Sequence, residues 1–363
     1  MLSRDDLLDL YRQHAGDLLL SVYIDADQHD PGERDAWRVR LKQGIAAERR
    51  KVEERADRSE LAAFEAAEKR IRAALGLDDT GFLGGAGWVG FAGPDGLVHE
   101  ERLPVRVPDL VRWENGLRIA PYLRALRQRR PVLVATVDQR RATIHRYLEG
   151  SLELVRTLHA DTEVGDLTDI GTAKRATDHS GVRGKTGTDA AHRILEVAAE
   201  RLVDRLISEI EELDDDSLLV IGGTPERVAA LERSLPGPWR DRTTARPELH
   251  FGLGEAEVIA VTDGAASELT ERLHGELLDG VVGQAAAAGN GRVGREGTEA
   301  ALEARRVRTL LVSLGLTERD PDYADRLIGT AFGTNGADAL VLTREPGERL
   351  DREGDGVAAA LHY

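Results

Sequence analysis

A chain of 363 residues is longer than one hydrophobic core commonly organises, so two or three domains are expected. Its 41% hydrophobic and 31% charged residues describe a folded globular protein rather than a disordered one. Cysteine is absent, which excludes disulfides, thiolate metal ligands and a cysteine nucleophile, and fits a reducing compartment.

The formal charge of −16 argues against simple nonspecific nucleic-acid binding, and DNA is not an expected partner. Basic residues nevertheless gather mid-chain, at Arg127, Arg129 and Arg130, at Arg140, Arg141 and Arg146, and from Lys174 to Arg193. An acidic body with a basic middle can still dock on RNA locally. The opening residues carry Arg4, Asp5, Asp6 and Asp9 and do not read as a signal peptide. No apolar run approaches the ~20 residues that cross a bilayer. A cytoplasmic protein without a membrane partner is expected.

The first region, 1–130, opens with Ser3 as a helix cap, then a strand from Leu20 to Asp25. Trp37, Leu41, Ile45 and Val52 mark one amphipathic helix; Leu61, Phe64, Ile71 and Leu75 mark a second. Gly87 to Ala92 and Gly96 to Leu103 read as a hairpin around Pro94-Asp95-Gly96. Pro104, Pro108 and Pro121 punctuate the exit.

The second region, 131–266, begins with three strands: Val132 to Val137, Ala142 to Tyr147 and Leu152 to Thr157. A long polar loop, His159 to Gly187, feeds a helix from about Thr188 to Leu213. Leu218 to Ile221 is a buried strand, Thr224 caps a helix holding Val228, Leu231 and Leu235, and further strands are expected near Trp239 and His250. The third region, 267–363, starts within a helix over Ala266 to Val282 that ends at Gly289-Asn290-Gly291. A helix at Thr298 to Arg305, a strand at Thr309 to Ser313, a helix at Tyr323 to Phe332 and strands at Asp338 to Thr343 and Val357 to Leu361 follow. The whole reads as an α/β protein of three domains, with a mixed sheet in the middle and an α/β/α layer at the end.

The loop holds the candidate functional residues. Lys174, Arg175, His179, Arg183, Gly184, Lys185, Thr186 and Gly187, with Arg193 on the following helix, form a cationic, glycine-bearing segment suited to an anionic channel. The plainer alternative is a surface insertion.

Three strands, a glycine- and arginine-bearing loop and a long helix opening near an Arg resemble the middle domain of archaeal and eukaryotic class-one release factors and of Pelota. Thr298 to Val312 resembles the start of their L7Ae-like C-terminal domain. Gly354 to Tyr363 resembles its close, Gly-(Ile/Val)-x-Ala-x-Leu-Arg-Tyr, with His362 in place of Arg. The first region is similar instead to the N-terminal α/β domain of bacterial members of the superfamily, the group that includes the hibernation factor Balon. The resemblance implies an RNase H-like middle domain. It also implies a ribosome as partner, through rRNA and peptidyl-tRNA, and a translational GTPase as a further one.

Family members that hydrolyse peptidyl-tRNA place a Gly-Gly-Gln tip beside the ester. Here Arg183-Gly184-Lys185-Thr186-Gly187-Thr188-Asp189 stands instead, and no Gln lies between His159 and Gly264. Aligning Gly184 puts Lys185 and Thr186 at the tip; aligning Arg193 puts Gly187, Thr188 and Asp189 there. Both registers stay open, and no catalytic residue is assigned. The implied role is A-site occupancy in hibernation or rescue without codon reading; peptidyl-tRNA hydrolysis and a stress-linked protein-interaction module are the alternatives.

Other signals carry less. Gly184-Lys185-Thr186 lacks the first Gly and the preceding strand of a phosphate loop. Gly85, Gly87 and Gly90 match the dinucleotide spacing, yet a strand follows where a helix is required, and glycine packing around Trp88 is the better reading. Asp138 could hold a metal only with carboxylates such as Glu196 or Asp204 converging on it, and an ordinary strand-end Asp is preferred. Histidine spacing indicates no zinc site, and no cofactor is expected. Arg305, Arg306 and Arg308 are a minor RNA-contact candidate.

Overall fold

The computed structural model describes residues 1–26, 36–76, 83, 85–128, 130–148, 150–161, 183–213 and 216–362, with backbone alone for 128 and 183–194. Contacts divide the chain into two units, one formed by 1–129 with 274–363 and the other by 130–273.

In the first unit, α1 (Arg4–Gln13) starts at Ser3, whose hydroxyl accepts from the Asp6 amide while the Asp6 carboxylate returns to the Ser3 amide. Such a reciprocal cap satisfies two orphan donors of the first turn. Strand β1 (Leu18–Asp25) is central to a four-stranded antiparallel sheet with β2 (Gly87–Ala92), β3 (Leu97–Leu103) and β4 (Leu110–Asn115), in the order β3-β2-β1-β4. Because it is covered on both faces, β1 reads as a nearly continuous apolar run interrupted by the buried Ser21. Leu20, Val22 and Ile24 pack with α2 (Ala36–Arg55) and α3 (Arg58–Ala74), while Leu19 and Tyr23 enter a second cluster with Leu7, Phe91 and Tyr122. The stripe Trp37, Leu41, Ile45 and Val52 is buried as expected, and Phe64 meets Trp113 edge-on at 5.7 Å. Each such side chain contributes about 1.5–3 kcal/mol.

Strand β4 was not legible in the sequence. Its buried Val111 and Trp113 alternate with Arg112 and Glu114, and among the described residues it is an edge strand paired with β1 alone. The helix that follows, α4 (Ala120–Gln128), was likewise unread.

The middle unit contains a five-stranded sheet in the order β7-β6-β5-β8-β9. Strands β5 (Val132–Val137), β6 (Arg141–Leu148) and β7 (Ser151–His159) form the expected meander, and β8 (Leu218–Gly223) pairs parallel to β5. One face packs Leu133, Ala135 and Val137 against α5 (Arg183–Leu213) and α6 (Pro225–Ser234). The other face packs Val132, Val134 and Val220 under Leu249, Ala265 and Leu269. Helix α5 starts at Arg183, ahead of the expected Thr188; Gly184 and Gly187 are poor helix formers, so sequence favours a later start. Trp239 lies on the short helix α7 (Gly237–Asp241), with β9 (Thr243–Ala245) after it, and His250 lies in a turn rather than a strand. Trp239 is buried in the core beside Leu235, which satisfies its apolar surface without a strand. Helix α8 (Glu255–Ala286) begins eleven residues before the expected Ala266, because Gly264 within it reads as a break in sequence.

The remaining strands form the third sheet, β10-β13-β11-β12, in the first unit. Strand β10 (Gly291–Val293) follows Gly289-Asn290, and α9 runs Arg295–Glu303, somewhat ahead of the expected helix. Strand β11 (Val307–Ser313) lies between β12 (Asp338–Leu342), parallel to it, and β13 (Val357–Leu361), antiparallel. Two short helices, α10 (Leu314–Arg319) and α11 (Pro321–Gly329), and a π turn over Thr330–Thr334 replace the single helix read near Tyr323. Helix α12 (Arg344–Gly354) was unread, since Pro346 and Gly347 in its first turn mask it. The α/β class with three sheets agrees with the sequence reading. Among the described residues no helix is long and apolar enough to cross a membrane.

Candidate functional site

The carboxyl ends of parallel strands β5 and β8 lie side by side, with Val137 opposite Gly223. Ligands of open α/β sheets bind at such strand ends, where the chain turns into helices and leaves backbone amides free. After β5, Asp138 turns the chain into β6: its Oδ1 accepts from the Arg140 amide at 2.7 Å and the Arg141 amide at 2.8 Å. This is the ordinary strand-end Asp that the sequence suggested. Glu196 and Asp204 pair with nothing among the described residues that would bring them to it. After β8, Gly223 adopts φ +127°, and a Cβ there would stand 1.8 Å from the Val137 carbonyl oxygen, so only glycine fits. The Thr224 amide donates to that same carbonyl at 3.1 Å, and Pro225 opens α6.

Of the loop residues read from sequence, Lys174, Arg175 and His179 fall outside the described residues. Arg183, Gly184, Lys185, Thr186, Gly187 and Arg193 lie on the first turns of α5, a continuous helix to Leu213. Further along the same helix, Arg205 holds the exit of β7. Its Nη1 donates to the His159 carbonyl at 3.2 Å and to Asp161 at 2.8 Å. At a rise of 1.5 Å per residue, Arg183 stands about 33 Å along the helix from that anchor.

The other basic groups are largely engaged. Arg127 pairs with Asp338, Arg130 with Asp216, and Arg141 lies over the Phe251 ring at 4.0 Å. Arg305 and Arg308 are exposed beside β11. The glycine triplet near Trp88 is packing, as read: a Cβ on Gly90 would meet the indole at 2.1 Å.

Sequence reasoning missed a second buried polar centre, in the first unit. Arg118, its side chain 8% exposed, binds Asp322 at 2.8 Å, Asp325 at 3.2 Å and Glu114 at 2.8 Å, the last off-line for a hydrogen bond. Burial, with Glu114 and Asp322 nearby, pushes Asp325 up to about 6 despite the guanidinium. Burial likewise raises Glu114. Asp322 is more open; burial would raise it, but Arg112 and Arg118 outweigh that and hold it below the usual range. Beside this centre a cavity of about 600 Å³ is lined by Tyr23, Arg40, Gly44, Lys51, Arg124 and Ile328, among others. No sequence signal marks it, because its walls come from segments some three hundred residues apart.

Residues 118–274, somewhat under half of the chain, match the model of bacterial archaeo-eukaryotic release factor family 10. That segment is therefore similar to the archaeo-eukaryotic release factors, in their bacterial family 10.

Solved structures with some likeness include Dom34 of S. cerevisiae, described as a translation termination-like factor of RNA quality control that interacts with Hbs1. It is 13% identical over 64% of this chain and 63% of that chain, with a TM-score of 0.43. The chain therefore spans under two thirds of that relative. Archaeoglobus fulgidus Pelota is 14% identical over 76% of this chain and 79% of that one, with a TM-score of 0.37. An archaeal termination factor, aRF1, is 16% identical over 100% of this chain and 99% of that one, with a TM-score of 0.25. No curated protein sequence gives a significant match.

Proposed function

We propose that this chain is a ribosome-associated protein that occupies the A site, in hibernation or rescue, without reading a codon. The observation that carries the reading is the family match over 118–274, joined to the absence of Gln between His159 and Gly264. Hydrolysis of the peptidyl ester by relatives depends on positioning a Gly-Gly-Gln tip, and this chain has no such group to position. The reach of α5 supports the assignment, since Arg183 stands about 33 Å from the point where the helix is anchored to the sheet.

In this reading residues 1–130 are the N-terminal α/β domain of bacterial members, 131–266 the RNase H-like middle domain and 267–363 the L7Ae-like domain. The basic residues from Lys174 to Arg193 contact rRNA and the peptidyl-tRNA end, and a translational GTPase is the further partner. The site of action is the cytoplasm.

The test is co-sedimentation of the full chain with ribosomes at low and moderate salt, beside the double variant Arg183→Glu/Lys185→Glu. The expected result is pelleting that weakens steeply with salt and is reduced by at least about tenfold in the variant, since phosphate contacts release counterions. Equal pelleting of both proteins rejects the role given to the basic segment. Release of labelled peptide above background from stalled ribosomes would replace occupancy by hydrolysis.

A further inference from the structure

We propose that the entrance of α6, from Gly223 to Arg227, is a phosphate-binding site. Two polar atoms there, Thr224 Oγ1 and Arg227 Nε, are inaccessible and without partners, and the fold gives neither a reason. Thr224 stands at the N-cap, where a threonine hydroxyl normally accepts from the first turn, yet it makes no such bond and its Oγ1 is inaccessible and unpaired. Arg227 is 9% exposed, its Nε is inaccessible and unpaired, and among the described residues it has no ion pair or hydrogen bond. A guanidinium Nε buried without an acceptor is uncommon, because its desolvation is uncompensated.

The aim of Arg227 follows from its place on the helix. It shares the inward face of α6 with Leu231, four residues on, which is buried in the core. Helical side chains tilt toward the N-terminus of their helix. Arg227 is only three residues in, so its arm returns to the entrance, beside Thr224. The amide of Glu226 points the same way, since a helix's first amides have no internal acceptor. The turn is set rather than adaptable: Gly223 is fixed against Val137, and the Thr224 amide is tied to the same carbonyl.

The three groups are all donors: a hydroxyl, an amide and a fork-shaped guanidinium at the positive end of a ten-residue helix. That set calls for an anion with several acceptor oxygens, and phosphate matches the guanidinium fork. Neither Asp138 nor Glu226 is shown to occupy it. Asp138 spends Oδ1 on the amides of Arg140 and Arg141, and the Glu226 side chain is exposed. The phosphate is either the free ion or a phosphodiester of an RNA backbone; the second source rests on the ribosomal reading above.

The experiment is calorimetric titration of the full chain with inorganic phosphate at fixed ionic strength, then with a short single-stranded RNA. Wild type, Arg227→Met and Thr224→Val are compared. Saturable phosphate binding that weakens about tenfold or more in Arg227→Met and measurably in Thr224→Val is expected. Arg227→Met retains a well-packed apolar arm and removes an unpaired charge, so it is expected to fold. RNA that competes with phosphate identifies the phosphodiester as the source; binding of phosphate alone identifies the free ion. No saturable binding, or equal binding in all three proteins, overturns the site. Ribosome pelleting by wild type with no phosphate binding rejects this site alone, whereas phosphate binding without pelleting rejects the ribosomal reading alone.

Discussion

Arg118 and Arg227 are two buried arginines of nearly equal exposure in different units, and they differ in everything else. Arg118 is enclosed by three carboxylates from β4 and α11. Arg227 has none among the described residues. A guanidinium that neighbours neutralise is a structural tie, and losing it strands the acids around it. One that nothing neutralises lowers the stability of the empty protein, which makes sense where an anion arrives from outside. Burial alone therefore does not tell the two roles apart; the partner inventory does.

The comparison makes predictions of opposite sign. Arg118→Met leaves Asp325 and its neighbours without their cation, so a loss of about 3–5 kcal/mol is expected in urea unfolding of the full chain. A loss below about 1 kcal/mol would break the contrast from the structural side.

Asp325 sharpens it through pH. Its folded pKa, about 6, lies above the ordinary 3.8, so the folded state holds a proton the unfolded state has released. That contribution is complete below about pH 4 and is lost as pH rises to about 6, amounting to about 2–3 kcal/mol. Glu114, also raised, acts in the same direction. His145, lowered by burial, acts in the opposite direction as pH falls below its ordinary range. The difference between wild type and Asp325→Asn isolates the first: Asp325→Asn should gain relative to wild type from pH 4 to pH 7, read from unfolding midpoints at each pH. A constant difference across that range would remove Asp325 as the titrating group.

At the other arginine, Arg227→Met is expected to be neutral or stabilising by about 1 kcal/mol in phosphate-free buffer, where thermal unfolding reads it. A loss above about 2 kcal/mol would mean that Arg227 has a structural partner after all. The smallest effect belongs to Thr224→Val. Removing a working N-cap costs about 1 kcal/mol, but Thr224 makes no cap bond, so a change within about 0.5 kcal/mol is expected.

Much of the fold was legible because periodicity reports burial. The stripes on α2 and α3, the meander β5-β6-β7 and the cap at Ser3 all follow from local residue patterns. The failures share a cause. Strand β4 alternates charges with Val111 and Trp113, and its pairing partner lies some ninety residues earlier in β1. Trp239 resembles a strand residue but fills the core from a helical turn. Of the candidate site, the basic segment was visible as composition, yet Lys174, Arg175 and His179 lie outside the described residues. Arg227 carried no sequence signal, since an arginine in the first turn of a helix normally reads as a solvated surface charge.

The sequence by itself determined the α/β class, the main helices and strands, the missing Gly-Gly-Gln and the resemblance to release factors, because these rest on short-range spacing and residue identity. Only the tertiary structure decided which charges are matched. Whether Arg118 meets Asp325 and whether Arg227 meets anything depend on elements brought together across the chain, and the energy of a buried charge is set by what surrounds it.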